Sequence, residues 1–468
     1  MQKNRIPQLL TLSFLFLTGF ARAQGLQQKL QTAFTRLQAD SQCRYASLSL
    51  TVLDVKTGET VFAANPDMGL ATASTLKTIT TITAMHVLGP GHRFKTTVNQ
   101  AVDANITTDG TYNGNLIITA GDDPTLGSWR WEETKNEAVL KEFVDGIKKA
   151  GIHRINGGIV ANGINHTPQG WIWEDVGNYY GAAPNDLCWH ENQYDILLQT
   201  TKPGRPVKVT GTIPAEPYLH IENNLITGSP GSGDNAYAYL PILSNTVNLS
   251  GTFAADESKD RIAVALPDPP YELARQLKQA LIEAGISVSG RPVSEKMWID
   301  STNNATPSGS RELSVHYSPP LRKVIYWLNQ KSINLYAEQL LLAMADTLRS
   351  NDTPSILANF WKPRGIDPNS LNVFDGSGLS PADRVTSRTM ATILQTAVQE
   401  PWYNDFYDSL PVYNNMKIKS GSIINVLNYA GYQTHNGSQL CFAIFVNNYN
   451  GSSREIKEKI FKVLDELK

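Results

Sequence analysis

Two polar side chains interrupt an apolar, threonine-rich stretch, MGLATASTLKTITTITAMHVLG, that runs from Met68 to Gly89: Ser74 and Lys77. A separation of three residues puts both on one face of a helix. The rest of that face is made for a core, where a lone ammonium is costly. Lys77 therefore either reaches solvent or sits beside Ser74. In the second arrangement the chemistry is nucleophilic: a serine hydroxyl attacks a carbonyl while a neighbouring amine, made neutral by burial, takes its proton. In the first, Ser74 caps the helix and Lys77 snorkels to water.

Two more groups have the types such chemistry needs. Ser332-Ile333-Asn334 lies between the helical patterns LRKVIYWLNQ and NLYAEQLLLAMADTL. At such a junction short polar side chains can point into a cleft, or Ser332 can cap the second helix. Ser301-Thr302-Asn303 and Ser370-Leu371-Asn372 match the same pattern without that setting. Lys419-Ser420-Gly421-Ser422 ends a strand pattern, NNMKIKSGSI. Its lysine and hydroxyls suit a carboxylate, Gly421 leaves room for substrate along the strand edge, and the Ser422 N–H can face an oxyanion. Lys56-Thr57-Gly58 is a similar triplet, but it precedes Ser74 and reads as a hairpin turn.

These residues need elements to position them. Helical spacing is clear in LQQKLQTAFTRLQAD, and ASLSLTVLDVKTGETVFAAN alternates as a hairpin. The Ser74 helix stops at Gly89-Pro90-Gly91. From 92 to 310 short strand-like runs alternate with Gly, Pro, Asn and Asp, which marks an insertion. Two helices, about Glu137–Ala150 and Tyr271–Ala284, end in similar text, KKAGIHRINGGIV and IEAGISVSGRPV. This predicts two helix–loop–strand units in one layer, with a β-rich lobe at 185–268. Further on come a helix at Ser387–Gln399, three strands with Asn436-Gly437 between the last two, and a final amphipathic helix expected to pack on a sheet.

Composition sets the outer bounds. With 468 residues and 41% hydrophobic content the chain can build several cores, at roughly 100–200 residues per domain. A net charge of −2 gives no reason to expect nucleic acid or a membrane surface as partner. Lys3 and Arg5, the apolar run Leu9–Phe20 and the small-x-small Ala21-Arg22-Ala23 read as a cleavable export signal over residues 1–23. That run is shorter than the ~20 apolar residues of a membrane span, so no transmembrane segment is expected in the mature chain. Cys43, Cys188 and Cys441 are scattered and odd in number, and the eight histidines do not cluster. No metal or other cofactor is expected.

In the order Ser-x-x-Lys, Ser-x-Asn, Lys-Ser-Gly, the motifs resemble those of penicillin-recognising serine peptidases and β-lactamases. The leader, the early serine, the long insertion and the phrases NLIITAGDDPTL, WIWEDVGNYYGAAPNDL and FDGSGLS are similar to one branch, the D-alanyl-D-alanine carboxypeptidase/endopeptidase family, the class C penicillin-binding proteins of high molecular mass. That resemblance implies an α/β (α+β) fold: a β-lactamase/transpeptidase-like domain, with an antiparallel sheet flanked by helices and an all-helical subdomain, carrying a large β-rich insertion. The implied catalytic domain is 24–91 with 311–468. The α/β insertion is 92–184 with 269–310, around the lobe at 185–268.

The resemblance also implies roles. Ser74 is the acylated nucleophile, Lys77 its base, and Ser332 the proton relay to the leaving amine. Asn334 binds the substrate amide, Lys419 and Ser420 bind the terminal carboxylate, and Gly421 and Ser422 line the strand edge and oxyanion hole. Asp175 matches an acidic position that faces the free amine of a diaminopimelate side chain. Serine replaces threonine in the third motif, and apolar Ile333 takes a position that is often polar in relatives. The expected function is penicillin-sensitive D-Ala-D-Ala carboxypeptidase and endopeptidase action on peptidoglycan stem peptides in the periplasm. A β-lactamase or esterase on the same site, or a non-catalytic peptidoglycan-binding protein, are the alternatives.

Overall fold

The computed structural model describes residues 25–241 and 244–468; the expected leader, 1–23, lies outside them. Contact density divides the chain into two units. Of the described residues, the first comprises 25–86, Asn329–Ser332 and Pro354–Lys468; the second comprises Val87–Leu328 and Ile333–Thr353. Among the described residues no helix is long and apolar enough to cross a membrane.

The first unit is built on a six-stranded antiparallel sheet. Its order is Thr60–Ala64, Ser47–Asp54, Ser438–Asn447, Val426–His435, Met416–Ile423, Val412–Tyr413. An N-terminal strand is therefore paired with a C-terminal one, Leu50 opposite Ile444. One face is closed by the helix at 25–38 and by Ser453–Leu464, whose Leu30, Phe34, Ile456 and Ile460 join Leu50, Ile418 and Ile444 in one core. The final helix thus packs on the sheet. On the other face the helix Ser387–Ala397 sits with its first residue bonded to strand hydroxyls: Ser49 donates to Ser387 Oγ at 2.6 Å, and Thr51 Oγ1 lies 2.7 Å from the same atom. Lys56-Thr57-Gly58 is a hairpin turn, with the Asp54 carboxylate accepting from the Lys56 and Thr57 N–H groups and Gly58 at φ +73°.

The second unit contains the predicted repeat. The helices Asn136–Lys149 and Pro269–Glu283 are each followed by two short strands. Ser287–Val288 pairs in parallel with Arg154–Asn156, and Pro292–Ser294 in parallel with Ile159–Ala161. Their apolar faces share a core with Val139, Phe143, Leu273 and Leu277. A separate core, from Ala182 to Leu266, fills the strands of the β-rich stretch. The helix Glu295–Thr302, with no buried residue, had no apolar period to announce it. The three cysteines, whose pairing the sequence left open, are all free buried thiols.

Candidate active site

Ser74 lies in a short 3-10 turn, Ala73–Thr75, that runs into the helix Leu76–Val87. The many threonines of that buried helix are satisfied by donating to carbonyls one turn back, as Thr78 does to Thr75 and Thr81 to Lys77. Ala73 has φ +45°, a left-handed conformation that costs a non-glycine residue roughly 1–2 kcal/mol. It is held by two asparagines of the sheet. Asn428 Nδ2 donates to the Ala71 and Thr72 carbonyls at 2.8 and 2.9 Å, and Asn447 Oδ1 accepts from the Ala71 N–H at 2.8 Å. A strained residue this heavily tied down fits a site that presents the next side chain in one orientation.

Lys77 is completely buried. Its Nζ donates to Ser74 Oγ at 2.9 Å and to the Ser377 carbonyl at 2.7 Å, so it does not snorkel. The Ser377 carbonyl is supplied by a loop wrapped on Asp375, whose carboxylate accepts from the N–H groups of Gly378 and Ser380 at 2.6 and 2.7 Å. Gly378 is required there: its φ is +78°, and a Cβ would lie 2.0 Å from the Ala73 carbonyl. Thr80 fixes the same loop by donating to the Gly376 carbonyl at 2.6 Å.

A second lysine–serine pair stands in the same unit. Lys419 Nζ donates to Ser332 Oγ and to the Ser420 carbonyl, both at 2.9 Å. Lys419 is 1% exposed; burial first, and the positive charge of Lys77 second, hold its ammonium well below the ordinary lysine range. Ser332, at φ +57°, turns the chain out of the helix Leu321–Lys331. The end of that helix is anchored by Asn329 and Gln330, which donate to Ser409. The other two Ser-x-Asn matches stand elsewhere: Ser301 is exposed and bonds within its own helix, and Ser370 bonds Thr389.

The Met416–Ile423 strand passes tightly against the Ser74 turn. A Cβ on Gly421 would lie 2.6 Å from the Thr72 carbonyl and 2.9 Å from the Ser74 nitrogen. Ser420 is half-buried and Ser422 exposed on that strand. Ser74, Lys77, Ser332, Lys419 and Gly421 are thereby gathered in one unit.

Asn334 and Asp175 belong to the other unit. Asn334 opens the helix Asn334–Leu348, and its Nδ2 donates to the Tyr180 carbonyl at 2.7 Å. The Tyr180 hydroxyl donates to the Asp175 carboxylate. Burial raises Asp175 above the usual carboxylate range; the Tyr180 bond opposes this and Glu174 adds to it. Sequence reasoning missed Ser377, Asn428, Asn447 and Tyr180. A signal existed for two of them: Asn428 and Asn447 are amides in apolar strand runs, where a buried polar group must have a partner to bond. Among the described residues no group of three or more His, Cys, Asp or Glu could hold a metal ion.

A helix-flanked antiparallel sheet carrying these lysine–serine pairs is the β-lactamase/transpeptidase-like fold. The solved structure of penicillin binding protein 4 (dacB) from Haemophilus influenzae superposes with a TM-score of 0.75 at 20% identity, covering 95% of this chain and 98% of that one. A complex of the same protein with a β-lactam gives 0.72 at 19% identity, covering 93% and 98%. Among curated relatives, the D-alanyl-D-alanine carboxypeptidase of Actinomadura sp. (strain R39) is 24% identical over 96% of this chain and 88% of its own length. The model of the D-Ala-D-Ala carboxypeptidase 3 (S13) family matches residues 30–467, and the chain belongs to that family of serine-type carboxypeptidases.

Proposed function

We propose that this chain is an exported, periplasmic serine D-Ala-D-Ala carboxypeptidase that also cleaves D,D-cross-links of peptidoglycan stem peptides and is acylated by penicillins. The observation that carries the reading is the buried Lys77 amine 2.9 Å from Ser74 Oγ. General-base action needs Lys77 in its neutral form. A neutral Lys77 keeps one N–H on the Ser377 carbonyl and turns its lone pair to the Ser74 hydroxyl. Ser74 Oγ then bonds to the carbonyl carbon between the two D-alanines as its proton passes to Lys77. The N–H groups of Ser74 and Ser422 are the donors for the oxyanion, and Gly421 allows the approach of turn and strand that this pairing needs.

Collapse of the tetrahedral species breaks the C–N bond. The departing D-alanine amine takes its proton from Ser332 Oγ, which Lys419 replenishes across their 2.9 Å bond. Lys419 and Ser420 hold the terminal carboxylate, and Asn334 the substrate amide. Water then attacks the acyl-serine, its proton passing through Ser332 to restore Lys419, while Lys77 returns its proton to Ser74 Oγ as the C–O bond to Ser74 breaks and the shortened peptide leaves. When the leaving amine belongs to a second stem peptide, the same steps cut a cross-link; Asp175 then faces a diaminopimelate ammonium. In this reading the catalytic domain is 24–91 with 311–468, and the insertion 92–310 carries Asp175.

The test is release of D-alanine from a short peptide ending in D-Ala-D-Ala. The reading expects release by the native chain and a drop of about a thousandfold or more in Ser74→Ala. Absence of release by the native chain would contradict it.

A further inference from the structure

Around Asp175 the second unit exposes a row of aromatic rings that the proposed chemistry does not use. Trp173, Tyr179 and Tyr237 are 55%, 54% and 42% exposed. Trp173 stacks on Tyr239, with centroids 5.9 Å apart and planes at 28°. Tyr179 meets Tyr180 edge-on at 5.5 Å. Tyr237 and Tyr239 stand two apart on the strand Asp234–Tyr239, so both project from one face while Ala238 is buried on the other.

The backbone that carries these rings is held in place. Buried Asn178 donates to the Glu174 carbonyl at 2.7 Å and accepts from the Ala238 N–H at 3.1 Å, tying the loop to the strand. A Cβ on Gly177 would lie 2.2 Å from the Ala238 carbonyl, and one on Gly181 would lie 2.0 Å from that of Asp175. Glycine at 177 lets the loop pack closely on the strand, and glycine at 181 lets the loop fold closely on itself. Pre-ordered rings exposed to water mark a binding surface.

Resting on the reading that the chain works on peptidoglycan, we propose that this aromatic shelf binds the amino-sugar strand to which the stem peptides are attached. The C–H face of a pyranose ring packs on the electron-rich face of an aromatic ring. The exposed carboxylates of Glu174 and Asp234, beside the rings in sequence, accept sugar hydroxyl and N-acetyl N–H protons. The shelf is continuous with Tyr180, which bonds both Asp175 and Asn334. A stem peptide reaching those residues therefore brings its own saccharide chain to the same surface.

The experiment uses the mature chain and two probes, chitotetraose and a short peptide ending in D-Ala-D-Ala. Saturable binding of chitotetraose, followed by tryptophan fluorescence and calorimetry, should weaken by about tenfold or more in Trp173→Ala and in Tyr237→Ala. The control Tyr45→Ala, at a tyrosine 68% exposed in the first unit, should bind as the native chain does. Short-peptide turnover should stay within about twofold in both shelf variants. No saturable binding, or binding that the variants leave unchanged, overturns the shelf, while short-peptide release separately tells whether the carboxypeptidase reading stands. An equal loss of short-peptide turnover in the shelf variants makes this a peptide subsite and overturns the saccharide assignment.

Discussion

Replacing Gly421 by alanine adds one methyl group where the Met416–Ile423 strand crosses the Ser74 turn. The new Cβ would lie 2.6 Å from the Thr72 carbonyl, 2.7 Å from the Thr75 nitrogen and 2.9 Å from the Ser74 nitrogen. All three are backbone atoms, so no rotamer change relieves the overlap. Nor can the turn retreat freely, because Asn428 and Asn447 tie it on one side and Gly378 abuts the Ala73 carbonyl on another. Strand and turn must separate by something approaching 1 Å. Overpacking of this kind costs about 1–3 kcal/mol, which for a unit of this size is a Tm loss of about 2–12 °C. In the proposed mechanism the same shift opens the oxyanion hole and misplaces Ser74, which is worth up to about a hundredfold in rate. The assay is the second-order rate of acylation by benzylpenicillin, with thermal unfolding in parallel. Gly91→Ala serves as control, since a Cβ there meets nothing within 4 Å. A Gly421→Ala protein with native Tm and native acylation rate would refute the close-packed turn and strand.

Other consequences are as sharp. Lys419 is held well below the ordinary lysine range when folded, so the unfolded chain binds the extra proton, and stability rises with pH between the folded and unfolded values. Lys419→Met removes that penalty: its Tm advantage over the native chain should shrink as pH is raised from about 7 to about 10, whereas an advantage that grows with pH would contradict the direction. Glu191, 1% exposed in its side chain, pairs with Arg130 and accepts from Ser128 and Tyr336. Glu191→Ala should therefore cost about 3–5 kcal/mol in denaturant unfolding. Burial raises all three thiols, Cys43 to about 11; a thiol reagent should find none in the native chain and three in denaturant.

Much of this was legible in the residues. The helix Asn334–Leu348 and the strand Met416–Ile423 fall where the apolar period put them. The repeated helix–loop–strand text became two parallel pairings, which lie in two different sheets rather than in the one layer expected. Lys77 is beside Ser74, one of the two arrangements that the sequence left open. What periodicity does not carry is pairing across the chain. Nothing local sets strand Ser47–Asp54 beside Ser438–Asn447, because that choice is made by two apolar faces closing one core. The loop around Asp375 supplies the carbonyls that Lys77 and Thr80 bond; a main-chain acceptor has no side-chain signature. Ala73 in a left-handed conformation is invisible for a related reason. Alanine gives no hint of it, and the restraint comes from asparagines far along the sequence.

The central claim is that Ser74 is the acylated nucleophile, and intact-mass spectrometry of the mature chain with benzylpenicillin tests it most directly. One adduct with the mass of the opened penicillin, mapped by peptide sequencing to Ser74 and absent in Ser74→Ala, is the predicted result. An adduct on another residue, or none while the penicillin stays intact, would contradict it.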